Sequence, residues 1–252
     1  MEYEAYRKIH EPLFRENGLE RFLEDDVPRE TSGECKTERF YRLTERMLEV
    51  NAQMNLTAVR DVPSVVFLHY VDSLMIADAV PRGVTLCDIG CGAGFPSLPL
   101  AIARDDLRFY AVDSTEKKVR YVAETAEFLH LGNRFEAHSA RAEELGQGPL
   151  RESFACVTAR AVSNLRMLSE LCLPLVSVGG TFLSMKGANW EAEYEDAKRA
   201  IELLGGALES AKAFEIRNGE ASEQRCLLTI RKEKETPVKY PRAWGKIKSK
   251  PL

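Results

Sequence analysis

The chain has 252 residues, of which 44% are hydrophobic and 29% charged, and its formal net charge is −4. This composition is typical of a globular protein with a substantial core, and it excludes a disordered chain and one coated in basic residues. No run approaches the roughly 18 apolar residues of a membrane span, and the six cysteines form no CxxC pair or zinc-ligand spacing, so we expect reduced thiols, no metal site and a cytoplasmic monomer.

The first 80 residues are predicted to be helical, and their charged start does not resemble a signal peptide. Between residues 34 and 51, apolar side chains recur at helical spacing, namely Phe40, Leu43, Met47 and Val50. Asp61-Val-Pro63 is typical of a helix N-terminus, and this second helix is predicted to continue from Val65 to Ala79. Residues 1–80 are therefore predicted to form a helical N-terminal extension.

From Val84 onward, short apolar runs alternate with longer amphipathic segments. The predicted strands cover residues 84–89, 107–112, 135–139, 154–159, 181–185, 207–216 and 224–232, and the predicted helices cover residues 96–104, 114–131, 165–173 and 189–204. Such alternation indicates right-handed β-α-β units and a mostly parallel sheet. The last two strands are joined only by Arg217-Asn-Gly219-Glu220, whose Asn-Gly is a hairpin signal, so the last strand is predicted to be antiparallel. Residues 81–233 thus form a predicted Rossmann-like α/β domain with seven strands.

The segment Asp88-Ile-Gly90-Cys-Gly92-Ala-Gly94-Phe95-Pro96 joins the first predicted strand to the next helix. Glycines in this position let the backbone turn tightly and approach a ligand. The free N–H groups at the start of the helix can bind an anionic group. Three glycines with these flanks and a preceding acid favour a ligand site over a purely structural turn.

Two classes of cofactor compete for this loop. A dinucleotide loop reads GxGxxG or GxGxxA, but the bulky Phe95 stands at the last of those positions. The pattern DxGxGxG is typical of class I methyltransferases, whose S-adenosylmethionine presents a carboxylate and an ammonium instead of a pyrophosphate. The sequence therefore predicts an S-adenosylmethionine site, and its loop residues are Asp88, Gly90, Gly92, Gly94 and Phe95.

Two further places at the predicted carboxyl edge of the sheet are candidates for this site. Asp113 ends the second strand, where a carboxylate can accept the hydroxyl groups of a ribose. The alternative is that Asp113 only caps the following helix. Arg141-Ala142-Glu143 follows the third strand, on the side expected to face an adenine, and the alternative there is a solvated first turn of a helix.

The absence of two motifs from the sequence restricts which substrate atom the enzyme is expected to methylate. Methyltransferases that act on an exocyclic amine carry [DN]-P-P-[FY] after the fourth strand, where this chain has Thr158-Ala159-Arg160-Ala161-Val162. Methylation of a pyrimidine carbon needs an accessible cysteine, and Cys156 lies in the middle of a predicted strand. Guanine N7 needs neither device, because its lone pair is nucleophilic and no proton has to leave. We expect no general base, and positioning alone can lower a barrier by on the order of 7–11 kcal/mol.

The motifs together resemble those of a known family. They occur in this order: Asn51-Ala-Gln-Met-Asn55-Leu-Thr57, His69-Tyr-Val-Asp72-Ser73-Leu74, Asp88 to Pro99, Asp113-Ser114, Lys117-Lys118-Val119, Arg141-Ala142-Glu143, Thr158 to Val162, Met185-Lys186-Gly187 and Tyr240-Pro241-Arg242. From about residue 40 to the last residue, the chain is similar to the bacterial ribosomal RNA small subunit methyltransferase G family, also called glucose-inhibited division protein B. It departs from the family pattern at Cys91, usually Ser or Thr, and at Ile247, usually Pro.

The resemblance implies S-adenosylmethionine-dependent methylation of guanine N7 in the 530 loop of 16S ribosomal RNA. It places cofactor contacts on Gly90, Phe95, Ala142, Glu143 and Arg160, with Asp113 carried over as well. The implied fold is the class I methyltransferase fold, and the implied partner is 16S ribosomal RNA or the 30S particle.

The predicted RNA contacts are Arg160, Lys186, Arg242, Lys246 and Lys248. Arg160 follows the fourth strand and Lys186 ends the fifth, although a surface salt bridge and an exposed rim lysine are the respective alternatives. His69 and Asp72 lie on one helix face, where they either line the site or pack beneath the sheet. Residues 234–252 form a predicted basic tail that interleaves aromatics with cations, as surfaces that bind phosphates and bases do. The alternative is a solvated tail.

Three other functions stay open. A class I methyltransferase acting on another RNA, a protein or a small molecule would share the glycine loop. A nicotinamide-dependent oxidoreductase is disfavoured by Phe95 and by the missing Tyr-x-x-x-Lys. A catalytically silent RNA-binding module would show no turnover.

Overall fold

The computed structural model describes residues 1–23, 34–160, 163–219 and 221–252, and these form one sheet of seven strands. The strands are β1 (Thr85–Ile89), β2 (Arg108–Asp113), β3 (Phe135–Ser139), β4 (Phe154–Arg160), β5 (Val176–Gly187), β6 (Gly206–Asn218) and β7 (Ala221–Lys232). Their order across the sheet is β3-β2-β1-β4-β5-β7-β6. The chain order reverses between β1 and β4, and open α/β sheets bind ligands at the carboxyl ends of the strands beside such a point.

Strand directions confirm the predicted fold class. The neighbouring pairs among β1 to β5 are all parallel, as expected for strands joined by helical crossovers. Strand β7 lies between β5 and β6 and is antiparallel to both, with Ile230 opposite Phe182 and Leu208. The turn before β7 pairs Asn218 with Ala221, and Gly219 has a φ of 60°, as the Asn-Gly signal predicts. Glu220 lies outside the described residues.

Strand β5 is longer than predicted. It begins at Val176 instead of Thr181, because its first part pairs with Phe154 before the register shifts and Thr181 pairs with Cys156. The shift coincides with Gly179, whose φ of 85° departs from extended backbone, and with Gly180. The two glycines look like the end of an element in the sequence, but here they accommodate an irregularity inside one strand.

Helices cover both faces of the sheet. They are α1 (Tyr3–Glu16), α2 (Lys36–Met54), α3 (Val62–Val65), α4 (Asp72–Leu74), α5 (Ser97–Ala103), α6 (Glu116–Phe128), α7 (Ala142–Gln147), α8 (Leu165–Cys172), α9 (Trp190–Leu203) and α10 (Trp244–Ser249). Alternate strand residues point to opposite faces, so Leu86 and Leu183 pack with the core of α1 to α6. Cys87 and Phe182 pack with the core of α7 to α10. Among the described residues, no helix has the length and apolar character needed to cross a bilayer.

The N-terminal extension is helical, but its second helix differs from the prediction. Helix α3 continues through a π-helical segment, Val66–Val71, into α4, which ends at Leu74 and not at Ala79. Beyond Leu74 the backbone turns more tightly, and Arg104 Nη1 donates to the carbonyl oxygen of Ala77 at 2.6 Å. This contact with the residue that follows α5 joins positions far apart in the chain, so it is not visible in a local pattern. Residues 24–33 of the predicted extension lie outside the described residues.

A histidine is enclosed in the aromatic core of the extension. His10 is fully buried among Tyr6, Phe14 and Phe40, and among the described residues neither ring nitrogen has a hydrogen-bond partner. Burial lowers its pKa from 6.5 to about 3. The unfolded chain therefore binds a proton between these values that the folded protein excludes, and stability falls as pH falls through that window.

Replacing His10 with leucine will make the protein less sensitive to acid. Between pH 7.5 and pH 5.0 the wild-type protein should lose about 2 kcal/mol of stability through this group, and the variant should not. Denaturant unfolding at the two pH values measures the difference. His130→Asn is the control, because His130 is exposed and its φ of 57° suits asparagine. If His10→Leu and wild type lose equal stability, the buried histidine is not the source.

The C-terminal residues pack against the domain, so they are not a solvated tail. Tyr240 is 7% exposed and Ile247 is fully buried, in the core of the face covered by α7 to α10. Arg151 Nη1 donates to the carbonyl oxygen of Tyr240 at 2.7 Å. Lys232, just before the segment, is also buried, and its Nζ donates to the carbonyl oxygen of Leu173 at 2.6 Å. Basic side chains in and around this segment, such as those of Arg151 and Lys232, are therefore used in contacts within the protein.

Candidate active site

The loop after β1 is shaped by its glycines. Gly90, Gly92 and Gly94 have φ values of 73°, 57° and 90°, a backbone region that other residues rarely adopt. A Cβ on Gly94 would overlap the side chain of Leu98, so this glycine allows the loop to pack on α5. A Cβ on Gly92 would meet only the carbonyl oxygen of Gly90, at 3.8 Å. Gly92 therefore presents bare backbone to open space.

Asp113, at the end of β2, holds this loop. Its Oδ2 accepts from the backbone N–H of Gly92 at 3.1 Å, and its Oδ1 accepts from that of Thr115 at 2.8 Å. The N-cap residue of α6 is Thr115, so Asp113 is not a helix cap alone. Each carboxylate oxygen keeps a lone pair for a further donor.

Three adjoining cavities follow the carboxyl edge of the sheet. The first, here the β2 cavity, has about 340 Å³ and is lined by Ile89, Gly90, Val112, Asp113, Ser114, Ala140, Arg141, Ala142, Glu143, Leu171 and Trp244. The second, the loop cavity, has about 330 Å³ and is lined by Leu56, Thr57, His69, Gly90, Cys91, Gly92, Ala93, Phe95, Asp113, Lys118 and Arg160. The third, the β5 cavity, has about 410 Å³ and is lined by Leu68, His69, Asp72, Arg160, Ser163, Met185, Lys186, Gly187, Glu193 and Arg225.

Shared residues join the three cavities. Gly90 and Asp113 line both the β2 cavity and the loop cavity. His69 and Arg160 line both the loop cavity and the β5 cavity. The loop cavity therefore lies between the other two, and His69 and Arg160 stand at its border with the β5 cavity.

Arg160 is fixed at that junction by several contacts. Its Nη1 donates to Asp72 Oδ2 at 3.0 Å and to the carbonyl oxygen of Leu68, in the π-helical segment, at 3.1 Å. Its guanidinium lies 5.4 Å from the centre of the Phe95 ring. The other oxygen of Asp72 accepts from Arg225 Nε at 3.0 Å. The side chains of Arg160 and Asp72 are only 13% and 9% exposed, so this is not a surface salt bridge.

His69 stands beside Arg160 as a neutral imidazole. Burial, with the nearby Arg160 charge as a second cause, lowers the pKa of His69 from 6.5 to about 3. Nδ1 lies 3.4 Å from Arg160 Nη2, and because a guanidinium can only donate, Nδ1 is the acceptor there. The proton then resides on Nε2, which donates to Thr57 Oγ1 at 3.0 Å. The ring stacks on Phe95 with centres 4.4 Å apart, so His69 and Asp72 line the site and do not pack beneath the sheet.

Asp88 lies behind the glycine loop. It is fully buried, and its Oδ2 accepts from the Ser97 hydroxyl at 2.7 Å, whereas Oδ1 has no hydrogen-bond partner among the described residues. Burial raises the pKa of Asp88 from 3.8 to about 6, an effect that the Ser97 hydrogen bond reduces. Asp88 thus braces the start of α5 against the end of β1.

Helix α7 follows β3 and was not among the helices predicted from the sequence. Ala142 and Glu143 are buried in its first turn, so this is not a solvated turn. Glu143 accepts a hydrogen bond from Arg141. All three residues line the β2 cavity, together with Asp113.

The five predicted RNA contacts fall in three different places. Arg160 and Lys186 line the β5 cavity, where Lys186 Nζ donates to Glu193 Oε2 at 2.8 Å and is not an exposed rim lysine. Lys246 and Lys248 are exposed on α10. Arg242 instead forms an internal ion pair, in which Nε and Nη2 donate to Glu170 at 2.7 and 2.6 Å. Its guanidinium is therefore engaged within the protein. Ala161 and Val162, predicted neighbours of Arg160, lie outside the described residues.

Some residues of the site were not singled out from the sequence. Thr57 and Lys118 fall within the quoted motifs but had no assigned role, and they line the loop cavity. Arg225 comes from β7, and no local pattern marks it as part of the site. Trp244, on α10, was predicted only as an aromatic of the RNA-binding tail, but it lines the β2 cavity. They reach it because β7 inserts beside β5 and because the C-terminal segment folds back.

Comparison with known proteins agrees with the geometry. The family model for rRNA small subunit methyltransferase G matches residues 36–222. The protein named ribosomal RNA small subunit methyltransferase G in Leuconostoc citreum is 43% identical over 227 residues, which are 88% of this chain and 93% of the relative. This chain belongs to the ribosomal RNA small subunit methyltransferase G family. The family resemblance of the motifs is thereby confirmed.

Other relatives show how much of the chain this methyltransferase family accounts for. A member of the same name from Staphylococcus carnosus is 39% identical over 238 residues, 93% of this chain and 97% of its own length. Among solved structures, an O-methyltransferase from Bacillus cereus, in complex with SAH, superposes with a TM-score of 0.54. That alignment covers 91% of this chain and all of the other, at 16% identity. It confirms the class I methyltransferase fold.

Proposed function

We propose that this protein transfers the methyl group of S-adenosylmethionine to N7 of a guanine in the 530 loop of 16S ribosomal RNA. The observation that carries this proposal is the row of three adjoining cavities from Asp113 to Lys186, in which His69 and Arg160 line both the loop cavity and the β5 cavity. A cofactor and a base can enter from opposite ends and meet there. Family membership identifies the base as part of ribosomal RNA.

The chain's own residues fit S-adenosylmethionine. Open space at Gly92, where a Cβ would stand, leaves room for a ligand against the backbone of the loop. Asp113 offers carboxylate lone pairs to ribose hydroxyls, and the buried wall of the β2 cavity suits an adenine. The residues that we propose for direct contact are Gly90, Gly92, Phe95, Asp113, Ala142, Glu143 and Arg160, while Asp88 and Gly94 hold the loop in shape.

The protein's contribution to the reaction is positioning. When bound, S-adenosylmethionine supplies an electrophilic methyl group. The β5 cavity holds the guanine, and Arg160, held by Asp72, fixes the boundary between base and cofactor. N7 has no proton to lose, so the neutral His69 acts as a wall and a hydrogen-bonding group, not as a base. Alignment and exclusion of water then account for the rate.

The substrate must present its N7 edge to a recessed site. N7 faces the deep, narrow groove of A-form RNA, which side chains do not enter, so an unpaired loop or a base turned out of its stack is required. The protein acts in the cytoplasm, as a monomer, on free 16S ribosomal RNA or on the 30S particle. Comparing methylation of the two substrates by purified protein distinguishes them.

The test of the proposed function is a map of N7-methylguanine in 16S RNA. RNA from cells that contain the protein should carry the modification in the 530 loop, and RNA from cells that lack it should not. Restoring the gene should restore the modification. Identical maps in both cells would refute the proposal, and a new modification elsewhere would identify another RNA substrate.

Replacing Gly92 with alanine will weaken S-adenosylmethionine binding, although the protein should lose only a small part of its folding stability. Strain from the positive φ costs on the order of 1 kcal/mol, and the added methyl group occupies the space proposed for the ligand. Gly83→Ala is the matched control, because Gly83 has a φ of 69°, no neighbour within 4 Å of its would-be Cβ, and an exposed loop position. Calorimetric titration should show at least about tenfold weaker binding for Gly92→Ala alone. Equal affinities in the two variants would separate Gly92 from the cofactor.

Neutralising Lys246, Lys248 and Lys250 with glutamine will weaken RNA binding and reduce its salt dependence. Each lost phosphate contact reduces the magnitude of the slope of log K against log salt by roughly 0.7 to 0.9, so a reduction of about 2 to 3 is expected for the three lysines together. The control replaces Lys8, Lys198 and Lys212, which are also exposed, and it changes the net charge equally. Filter binding at several salt concentrations measures both. A slope equal to that of the control would exclude these lysines from the interface.

A further inference from the structure

The C-terminal segment brings an aromatic side chain to the β2 cavity. Trp244, the first residue of α10, lines that cavity together with Asp113, Ala142 and Glu143. It lies 131 positions after Asp113 in the chain, and neither the glycine loop nor the strand ends predict its presence. Its ring is partly exposed, so part of its apolar surface faces the cavity or solvent.

Contacts on several sides hold Trp244 in place. The Arg141 guanidinium lies 5.2 Å from the centre of its ring, and Arg141 is itself paired with Glu143. Two residues before Trp244, Arg242 is clamped by Glu170. Three residues after it, Ile247 is fully buried. The indole is therefore supported from both ends of its segment, and little conformational entropy is left to lose when a ligand contacts it.

We propose that Trp244 is an adenine-contacting residue, and that α10 thereby closes the cofactor site from the C-terminal end of the chain. This inference rests on the proposed function, because it requires the adenosyl group in the β2 cavity. Asp113 marks the ribose end of that cavity, and Trp244 supplies an aromatic surface. An aromatic ring is the side chain that binds a purine face most strongly without selecting a hydrogen-bonding pattern. Because the Arg141 guanidinium already contacts the indole, the adenine would contact the part of the Trp244 ring that remains exposed.

Fluorescence can observe this contact without measuring activity. The chain has two tryptophans, so Trp190→Phe leaves Trp244 as the sole indole emitter. Titration of that protein with S-adenosylmethionine, and separately with adenosine, should change the emission, and free methionine should not. Trp244→Phe, which keeps Trp190 on α9, is the matched control and should show no change with adenosine. An unchanged Trp244 emission at saturating S-adenosylmethionine would overturn the inference.

Affinity supplies the second measurement. By calorimetry, Trp244→Ala should bind S-adenosylmethionine about tenfold more weakly, within the range found for a lost aromatic contact to a base. Trp244→Phe should stay within about threefold of the wild type, since a ring remains, and it also guards against misfolding of the alanine variant. If Trp244→Ala binds as the wild type does, the inference fails and the proposed function stands. If the wild-type protein itself binds no S-adenosylmethionine, the proposed function fails, and the inference with it.

Discussion

Replacing Arg160 with alanine will lower kcat/KM for methylation of 16S ribosomal RNA by about a hundredfold or more, because a displacement of about 1 Å at a reacting centre already has that cost. Arg160 lines both the loop cavity and the β5 cavity, and its removal widens the place where we propose that cofactor and base meet. It also leaves one oxygen of the buried Asp72 without its guanidinium partner. Single-turnover assays with the 30S particle and with free RNA measure the effect.

A lysine at the same position will not rescue the activity. A single ammonium cannot contact Asp72, the Leu68 carbonyl and the face of Phe95 at once, whereas the planar guanidinium does. Arg217→Ala is the control, because Arg217 is exposed on β6, pairs with Glu215 and lines none of the three cavities. We expect its activity to equal that of the wild type. Near wild-type rates for Arg160→Lys would show that positive charge suffices and that the fixed geometry does not matter.

Much of the fold follows from local patterns. Short apolar runs that alternate with longer amphipathic segments predicted the strands, and the predicted bounds of β3, Phe135–Ser139, match the structure to the residue. Errors arose where distant contacts decide the outcome. Strand β5 continues through Gly179 and Gly180 because it pairs with β4. The helix after Asp61 stops at Leu74, and beyond that point Arg104 Nη1 donates to the carbonyl oxygen of Ala77. Propensity and periodicity carry no information about either partner.

The site, like the fold, contains residues that local patterns predict and residues that only distant contacts bring there. Residues on the loop after β1 and at the ends of β2 and β4 were predictable, because parallel strands bring their carboxyl ends to one edge. Asp72 was left undecided between the site and the core, and the structure places it between Arg160 and Arg225. The partner Arg225 could not be predicted, since it depends on β7 inserting next to β5. Arg242 was predicted to contact RNA because it lies in a basic segment. Its partner in the structure is the buried Glu170, 72 positions away, and no local pattern could reveal that pairing.

Replacing Arg242 with alanine will destabilise the protein by about 3–5 kcal/mol, the usual effect of removing one partner of a buried ion pair. Glu170 is fully buried, and it accepts from the backbone N–H of Arg242 at 2.9 Å as well as from the guanidinium. Without the guanidinium its negative charge would remain in the core with one backbone donor. Denaturant unfolding measures the loss. Arg15→Ala, an exposed arginine on α1, should change stability by less than about 0.5 kcal/mol.

A double-mutant cycle separates the buried charge from the lost packing. Glu170→Gln removes the charge, so the pair Glu170→Gln with Arg242→Ala should be more stable than Arg242→Ala alone, even though it carries one more substitution. The same cycle tests the anchoring of α10, because Trp244 lies two residues beyond Arg242. If the anchor is needed, Arg242→Ala should weaken S-adenosylmethionine binding and the double variant should recover part of it. A purely additive cycle would mean that the side chains of Glu170 and Arg242 do not stabilise each other, and it would overturn this prediction.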